Sequence, residues 1–257
     1  MQIEVRGISH RYGDLHVLDD VSFTVRAGET FALIGPSGCG KSTLLGIMGG
    51  MLRSAAGTVA ASGAPPEGCL NPFTYVFQDF ALLPWRTVEG NVALALEHHA
   101  LGAAEMKQRI GAVLALCGLA DFARAYPKQL SGGMRQRVGI ARAIAVKPAV
   151  LLMDEPLSAL DAQTRDILIE DLIAIWARER TTSIYVTHNL NEALRLADRV
   201  GVLSRRPGRL IRVLEVGIPR EQRARPERAA DMVGLHDALW DSIKREAQVA
   251  EREMQHA

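Results

Sequence analysis

Thr30-Phe-Ala-Leu-Ile-Gly-Pro-Ser-Gly-Cys-Gly-Lys-Ser-Thr-Leu-Leu45 is the stretch that decides the fold. Its apolar beginning predicts a buried strand, and the residues from Lys41 onward predict a helix. Between them, Gly35 to Ser42 fits G-x-x-x-x-G-K-[ST], a loop whose backbone N–H groups wrap a phosphate chain. In such a loop Lys41 reaches the β- and γ-phosphates and Ser42 offers its hydroxyl to Mg²⁺. A glycine-rich turn without a ligand is the alternative, which the strand before and the helix after disfavour.

Further apolar runs extend this pattern into a fold class. Ala149–Asp154 and Ser183–His188 are continuous enough to be strands buried on both faces, and the first precedes a helical pattern over 161–178. We therefore expect an α/β fold with a parallel sheet covered by helices. Alternating residues at 3–5, 21–25 and 57–60 predict a small flanking antiparallel sheet.

Two segments lack this strand pattern. From about Thr87 to Val146 the sequence is rich in Ala and Leu at helical spacing, which predicts an inserted helical subdomain. After Arg205 the composition shifts to Arg, Pro and Glu, and an apolar repeat then predicts a terminal helix: Met232, Leu235, Leu239 and Ile243. We expect a main domain over 1–215, with the helical subdomain about 87–146 inserted, and a helical tail over 216–257.

Composition excludes several classes of protein. The 257 residues are 48% apolar, enough for a core, and the formal net charge of +1 indicates no general polyanion-binding surface. Nucleic acid is therefore not an expected partner. No apolar run has the length of a signal peptide or a bilayer span, so we expect a chain that stays in the cytoplasm. Cys39, Cys69 and Cys117 are predicted to be free thiols.

An adjacent pair of acids, Asp154 and Glu155, ends the second buried strand, and Pro156 turns the chain outward. Carboxyl ends of parallel strands are where α/β proteins bind ligands. Asp154 is suited to hold hydrated Mg²⁺, and Glu155 to polarise a water for attack on a γ-phosphate. Solvated acids at a strand end are the alternative, which the phosphate loop makes less favourable.

A third motif, Leu130-Ser-Gly-Gly-Met-Arg-Gln-Arg137, opens a helix with Ser131 at its cap. In a chain that also holds the phosphate loop, it resembles the signature motif of ATP-binding-cassette (ABC) ATPases. The other motifs of that family also occur, in the expected order, over about 1–215: Tyr12, Gln78, Ser158–Asp161 and His188. The resemblance implies a P-loop NTPase fold of the RecA-like type with the small antiparallel and helical subdomains, and it implies ATP and Mg²⁺ as cofactors.

The resemblance also assigns roles to residues. Glu155, His188 and Gln78 would be catalytic, with His188 at the γ-phosphate, and Mg²⁺ would be held by Ser42, Gln78 and Asp154. Tyr12 would stack on adenine, although an ordinary strand-edge tyrosine is an alternative. Asp161 would communicate across a dimer, or simply cap the following helix. The remaining nucleotide-binding residues would be Gly35, Pro36, Ser37, Gly38, Cys39, Gly40, Lys41, Ser42, Thr43, Ser131, Gly132 and Gly133.

Partners follow from the same resemblance. Ser131, Gly132 and Gly133 of one subunit would close over the nucleotide of another, so ATP would join this chain to a second copy or to a sister ATPase. The chain would work peripherally on the cytoplasmic face of the inner membrane, with integral-membrane permease subunits and, indirectly, a solute-binding protein. The stretches 76–92 and 196–209 resemble importers for nitrate, sulfonate and taurine. Asn189, next to His188, departs from the family, where an Asp is usual.

Two local hypotheses concern single segments. The apolar side chains of Phe80, Leu82, Leu83 and Trp85 predict an exposed patch that docks on the permease, unless they fold under the helical insertion. Cys39 lies inside the phosphate loop, where aligned N–H groups should favour its thiolate and fast alkylation; the alternative is a sulfur turned into the core.

Two rival functions use the same phosphate loop. A non-transport cassette ATPase acting on nucleic acid or ribosomes would fit a basic arm, but the eight arginines between Arg205 and Arg228 are interrupted by Glu215, Glu221 and Glu227. A small-molecule kinase would leave the motif at Ser131 unexplained.

Overall fold

The protein is described by a computed structural model for residues 1–179 and 181–254. In these residues the chain forms nine strands and seven α-helices. They follow in the order β1 (Gln2–Tyr12), β2 (Leu15–Val25), β3 (Thr30–Ile34), α1 (Lys41–Met48), β4 (Ala56–Ser62), β5 (Phe73–Val76), α2 (Val88–Ala93), α3 (Ala103–Leu116), α4 (Gly132–Ile144), β6 (Val150–Asp154), α5 (Ala162–Glu179), β7 (Thr182–Val186), α6 (Leu190–Leu196), β8 (Arg199–Leu203), β9 (Leu210–Glu215) and α7 (Ala229–Met254).

The chain divides into two compact units. The first unit comprises Met1–Gly63 and Thr182–Ala257, and the second comprises Ala64–Thr181. Within the described residues, no helix combines the length and the apolar character that crossing a bilayer requires.

The first unit contains two of the three predicted buried strands, β3 and β7. β3 pairs in parallel with β7 and with β8, and β9 adds an antiparallel edge to β8. Every residue of β3 and β7 is buried, because α1 packs against β7 and α6 packs against β3. The continuous apolar runs therefore predicted these strands correctly. The small antiparallel sheet is also confirmed, with β1 between β2 and β4.

Helix α7 belongs to the core of the first unit. Leu239 is fully buried beside Leu194 of α6 and Val202 of β8, and Met232 and Ile243 pack against the same cluster. The apolar repeat that predicted a terminal helix is thus the face by which that helix packs.

The second unit holds a parallel pair, β5 and β6, and the helices α2 to α5. The predicted helical insertion is confirmed: in the described chain between 87 and 146 there are helices and no strand. Helix α4 contacts α2, α3, α5 and β5, which makes it the centre of this unit.

Strands β5, β8 and β9 were not predicted from the sequence. β8 is interrupted by Gly201, a residue that weakens strand propensity. The structure gives the reason for this glycine, because a Cβ atom there would lie 2.8 Å from Cζ of Phe31. The packing of the Phe31 ring, which projects from β3, thus requires a small residue at position 201 of the neighbouring strand β8.

Candidate functional site

The phosphate loop joins β3 to α1 in the first unit, as predicted. Gly38 and Gly40 have φ angles of 74° and 104°, a region that favours glycine. At Gly40 a Cβ atom would also lie 2.7 Å from Cδ2 of Leu18. The backbone therefore favours glycine at both positions, and close packing also requires it at Gly40.

Lys41 is buried and its ammonium group turns back over its own loop. Nζ donates hydrogen bonds to the main-chain oxygens of Gly35 (2.9 Å) and Pro36 (3.0 Å). Ser42, the next residue, is exposed at the first turn of α1, and Thr43 is half-buried. A cation held over a glycine loop at a helix N-terminus is suited to a phosphate chain.

The expectation for the Cys39 thiol is wrong. Cys39 is 1% exposed, and its burial raises the pKa of the thiol although the Lys41 ammonium, 3.8 Å from Sγ, opposes the shift. Desolvation disfavours the thiolate more than the nearby positive charge favours it. The sulfur is turned into the core, which was the alternative interpretation.

The phosphate loop has a support that the sequence analysis missed. Gly208, which follows β8, lies so close to the loop that a Cβ atom there would be 2.2 Å from the main-chain oxygen of Cys39. The same glycine exchanges hydrogen bonds with β2, from its N–H to Val17 O (2.8 Å) and from the N–H of Asp19 to its own oxygen (3.0 Å). The Pro-Gly pair at 207–208 was the signal in the sequence.

Two further predicted residues belong to the first unit. Tyr12 ends β1 with half of its side chain exposed, and its ring meets the ring of His10 edge-on at 4.6 Å between centroids. About half of Tyr12 is therefore accessible to a ligand. His188 is exposed in the turn between β7 and α6, two residues after the strand ends.

The second unit holds the carboxylate pair. Asp154 ends β6 and is half-buried, and its Oδ2 accepts a hydrogen bond from the hydroxyl of Tyr75 (3.1 Å). Burial, followed by the Asp154 charge, raises the pKa of Tyr75, so this phenol stays a hydrogen-bond donor. Glu155 has a φ of 45°, an unusual backbone conformation for a residue other than glycine. Such local strain is common at functional sites.

Gln78 is connected to the carboxylate loop within this unit. Its Nε2 donates to Oγ of Ser158 (3.1 Å), and that hydroxyl donates to the main-chain oxygen of Glu155 (3.0 Å). A hydroxyl can do both at once, because it has one proton and two lone pairs. Gln78 and Glu155, far apart in sequence, are thus linked through one side chain.

The signature motif begins helix α4 as predicted. Ser131 is its N-cap, with Oγ accepting a hydrogen bond from the N–H of Met134 (3.2 Å). Ser131 and Gly132 are exposed, whereas Gly133 is buried against α5, where a Cβ atom would lie 2.7 Å from Cγ2 of Thr164. The exposed start of α4 is available to a partner.

Asp161 has the structural role that the sequence left open. Its Oδ1 accepts a hydrogen bond from the N–H of Thr164 (3.0 Å) at the start of α5. That bond is the main cause of the lowered pKa of the Asp161 carboxyl. Asp161 therefore caps α5, whatever further role it has.

The expected apolar patch is divided. Phe80 is buried, so its assignment to an exposed surface is wrong: it packs on Gly139 of α4. Leu82 and Leu83 are half-buried, and the side chain of Asn91 bonds both main-chain groups of Leu83. Trp85 is 71% exposed, the remaining part of the patch.

Known proteins share this arrangement. A model of the ABC transporter family matches residues 18–158. The chain is 43% identical over 245 residues to the aliphatic sulfonates import ATP-binding protein SsuB 1 of Xanthomonas axonopodis pv. citri, covering 95% of this chain and 94% of that protein. It is 40% identical over 224 residues to the putrescine transport ATP-binding protein PotG of Escherichia coli, covering 85% of this chain and 58% of that protein.

Solved structures agree with the sequence relatives. The dimeric structure of a bacterial ABC transporter cassette, MJ0796, has a TM-score of 0.70 and 31% identity, and the match covers 83% of this chain and 98% of that one. A second dimer of that cassette, with a TM-score of 0.70 and 29% identity, holds ADP and Pi in a post-hydrolysis state. The strand, loop and helix around Lys41 define an ATPase of the P-loop class. More particularly, the chain belongs to the ABC transporter family, as a subunit that binds and hydrolyses ATP.

Proposed function

We propose that this chain powers the import of a small solute through a separate membrane permease, as an ATP-dependent dimer with itself or with a sister ATPase. The observation that carries the ATP-binding role is the buried Lys41 ammonium, held over a glycine loop between β3 and the N-terminus of α1. Import is supported by the relatives named for sulfonate import and putrescine transport. These two relatives are named for different solutes. The nitrate, sulfonate or taurine class of solute therefore rests on the resemblance of the stretches 76–92 and 196–209 to importers of that class.

We assign the reaction to the residues as follows. The phosphate loop from Gly35 to Thr43 holds the triphosphate, and Tyr12, about half exposed, stacks on adenine. Glu155 polarises the attacking water, and His188 contacts the γ-phosphate. Mg²⁺ would be held by Ser42, Gln78 and Asp154 and would neutralise charge on the phosphates. A set with one carboxylate fits Mg²⁺, which keeps several waters and binds substrate phosphates.

The dimer assignment rests on the signature helix. The exposed N–H groups at the start of α4 suit the phosphates of a nucleotide held by a second subunit. In this assignment Ser131, Gly132 and Gly133 act in trans, and hydrolysis releases the two subunits. The permease and, through it, a solute-binding protein are the remaining partners, and the chain works peripherally at the inner face of the membrane.

Glu155→Gln tests the hydrolytic role, because the amide keeps the shape of the side chain and loses the base. We expect ATP binding to persist, turnover to fall by orders of magnitude, and a dimer to accumulate with ATP in size-exclusion chromatography. A monomer at saturating ATP with normal hydrolysis contradicts the assignment. Import is tested by reconstituting the chain with the permease that co-purifies with it and measuring ATP-driven solute uptake into vesicles.

A further inference from the structure

A buried polar network in the first unit joins residues on both sides of His188 in the sequence. Oε2 of Glu192 accepts two hydrogen bonds, from the hydroxyl of Tyr185 (2.9 Å) and from the hydroxyl of Thr187 (2.8 Å). Tyr185, Thr187 and Glu192 are 0%, 2% and 3% exposed. Polar groups this deeply buried are costly unless their hydrogen bonds are made, so the geometry of the network is strongly specified.

The direction of these hydrogen bonds is fixed by the chemistry of a hydroxyl. Oγ1 of Thr187 accepts the N–H of Asn189 (3.0 Å) and gives its single proton to Glu192. The chain of bonds therefore runs from the main chain of Asn189, through Thr187, to the Glu192 carboxylate. Oε2 of Glu192 is thus the acceptor on which the hydroxyl groups of Tyr185 and Thr187 converge.

Both neighbours of His188 are held by this arrangement. Thr187, on one side, is bound through its hydroxyl to Glu192. Asn189, on the other side, caps α6, with Oδ1 accepting the N–H groups of Asn191 (2.9 Å) and Glu192 (3.3 Å). The exposed imidazole of His188 thus projects from a backbone segment that is anchored on both sides to the start of α6.

The anchor itself is rigid. Ala193 and Leu194 of α6 are buried in the core cluster that also contains residues of the paired strands β3 and β8. At the other end of α6, the buried guanidinium of Arg223 donates to the main-chain oxygens of Leu194 (2.9 Å) and Ala197 (2.7 Å). A helix held at both ends and along its length is a fixed platform for the turn that precedes it.

We propose that Glu192 and Thr187 are positioning residues for His188: through the buried bonds among Tyr185, Thr187 and Glu192 they fix the main chain that aims the imidazole at the γ-phosphate. This inference rests on the proposed role of His188 in hydrolysis. A network that only holds α6 against β7 would affect stability and would leave the geometry of His188 during hydrolysis unchanged. The two possibilities differ in what happens to kcat, to KM and to the imidazole of His188.

The test compares Thr187→Val, which removes the hydroxyl, with Thr187→Ser, which keeps it, in the full-length chain. We expect Thr187→Val to lower kcat by about tenfold or more with the KM for ATP changed by less than about twofold, and Thr187→Ser to retain most of the activity. In a His188→Ala background the further loss from Thr187→Val should be less than about twofold, because residues that act as a unit are not additive. Losses that multiply in the double variant overturn the proposal.

The control is Thr182→Val at the first residue of β7, the strand whose last residue precedes Thr187. Thr182 is as buried as Thr187, and its hydroxyl also makes two hydrogen bonds. It accepts the main-chain N–H of Gly28 (2.9 Å) and donates to the main-chain oxygen of Met1 (2.6 Å). We expect it to lower the melting temperature by an amount similar to Thr187→Val and to leave kcat unchanged. If Thr182→Val lowers kcat as much as Thr187→Val, the effect is general weakening of β7 and the proposal is wrong.

A spectroscopic readout does not depend on activity. In ¹⁵N-histidine-labelled protein, the imidazole resonance of His188 is identified by its disappearance in His188→Ala, and we expect Thr187→Val to shift it while Thr182→Val does not. An unmoved resonance refutes the positioning role. Should His188→Ala hydrolyse ATP like the wild type, the proposed role of His188 fails, and the same spectra still decide whether Thr187 positions the ring.

Discussion

The ring of Phe80 lies over Gly139 of α4, so closely that a Cβ atom at position 139 would be 1.9 Å from Cδ1 of Phe80. Arg142, almost one turn further along the same helix, donates hydrogen bonds to the main-chain oxygens of Phe80 and Ala81. The segment that follows Gln78 is therefore fastened to the helix that begins at Ser131. One end of this connection carries Gln78, which we assign to hydrolysis, and the other carries Ser131, which we assign to nucleotide binding.

Gly139→Ala should destabilise the protein, because the added methyl group would occupy the position of the Phe80 ring. Overpacking of this kind costs about 1–3 kcal/mol of unfolding free energy. The matched control is Gly111→Ala in α3, where nothing lies within 4 Å of the added Cβ and the substitution should stabilise by up to about 1 kcal/mol. Urea denaturation measures both values. Equal effects of the two substitutions contradict the packing of Phe80 on Gly139.

This contact is an example of a feature that could not be predicted from the sequence. The phosphate loop and the cap at Ser131 were predictable because their determinants are local: glycines that allow positive φ, a lysine beside a helix start, and a serine before a helix. The burial of Phe80 depends on a glycine almost 60 residues away, and Phe80 was wrongly expected at the surface. Glu192 is close to His188 in sequence, but only the turn between β7 and α6 brings its carboxylate within hydrogen-bond distance of the Thr187 hydroxyl. Packing partners set by the fold are not visible in a local pattern.

Asp161→Ala should lower the melting temperature, whereas Asp161→Asn should preserve it, because the amide oxygen can still cap α5. The pKa of the Asp161 carboxyl is lowered in the folded state, mainly by the N–H of Thr164. Its stabilising contribution is therefore present above the unfolded pKa and is lost as the pH falls through the lowered folded value. The difference in melting temperature between wild type and Asp161→Ala should shrink in acid. A difference that grows in acid contradicts the cap.

The same pair of variants separates the cap from communication across a dimer. If the charge of Asp161 matters to the partner, Asp161→Asn lowers ATP hydrolysis and ATP-dependent dimerisation while its melting temperature stays at the wild-type value. If Asp161 is only a cap, Asp161→Asn behaves like the wild type in all three measurements.

Trp85→Ser should weaken binding to the permease and leave basal ATP hydrolysis near the wild-type value. Trp85 is 71% exposed, and an exposed tryptophan close to half-buried leucines is suited to an interface. Trp240→Ser on α7 is the matched control, since it removes another tryptophan that is about half exposed. Pull-down of the permease and ATPase assays measure the two effects. Equal binding by both variants and the wild type contradicts a docking role for Trp85.

The final prediction concerns the order in which the three cysteines react. Cys69 is half-buried, whereas Cys39 and Cys117 are buried. Burial raises the pKa of the Cys39 thiol, and it raises the pKa of Cys117 to about 12, with the Asp171 charge adding to the second shift. Because the thiolate is the reactive form, both buried cysteines should be slow. Single-cysteine variants, with the other two cysteines changed to Ser, allow each rate to be measured with a maleimide near neutral pH.

We expect the variant that retains Cys69 to label fastest, and the variants that retain Cys39 or Cys117 to label slower by about tenfold or more. The Cys39 rate should rise as the pH increases toward its raised pKa, since deprotonation then supplies more thiolate. Cys39 reports on the phosphate loop because its main-chain oxygen lies against Gly208 and its sulfur lies beside the Lys41 ammonium. If Cys39 labels as fast as Cys69 near neutral pH, the sulfur is not turned into the core, and the buried position of the Lys41 ammonium beside it is wrong as well.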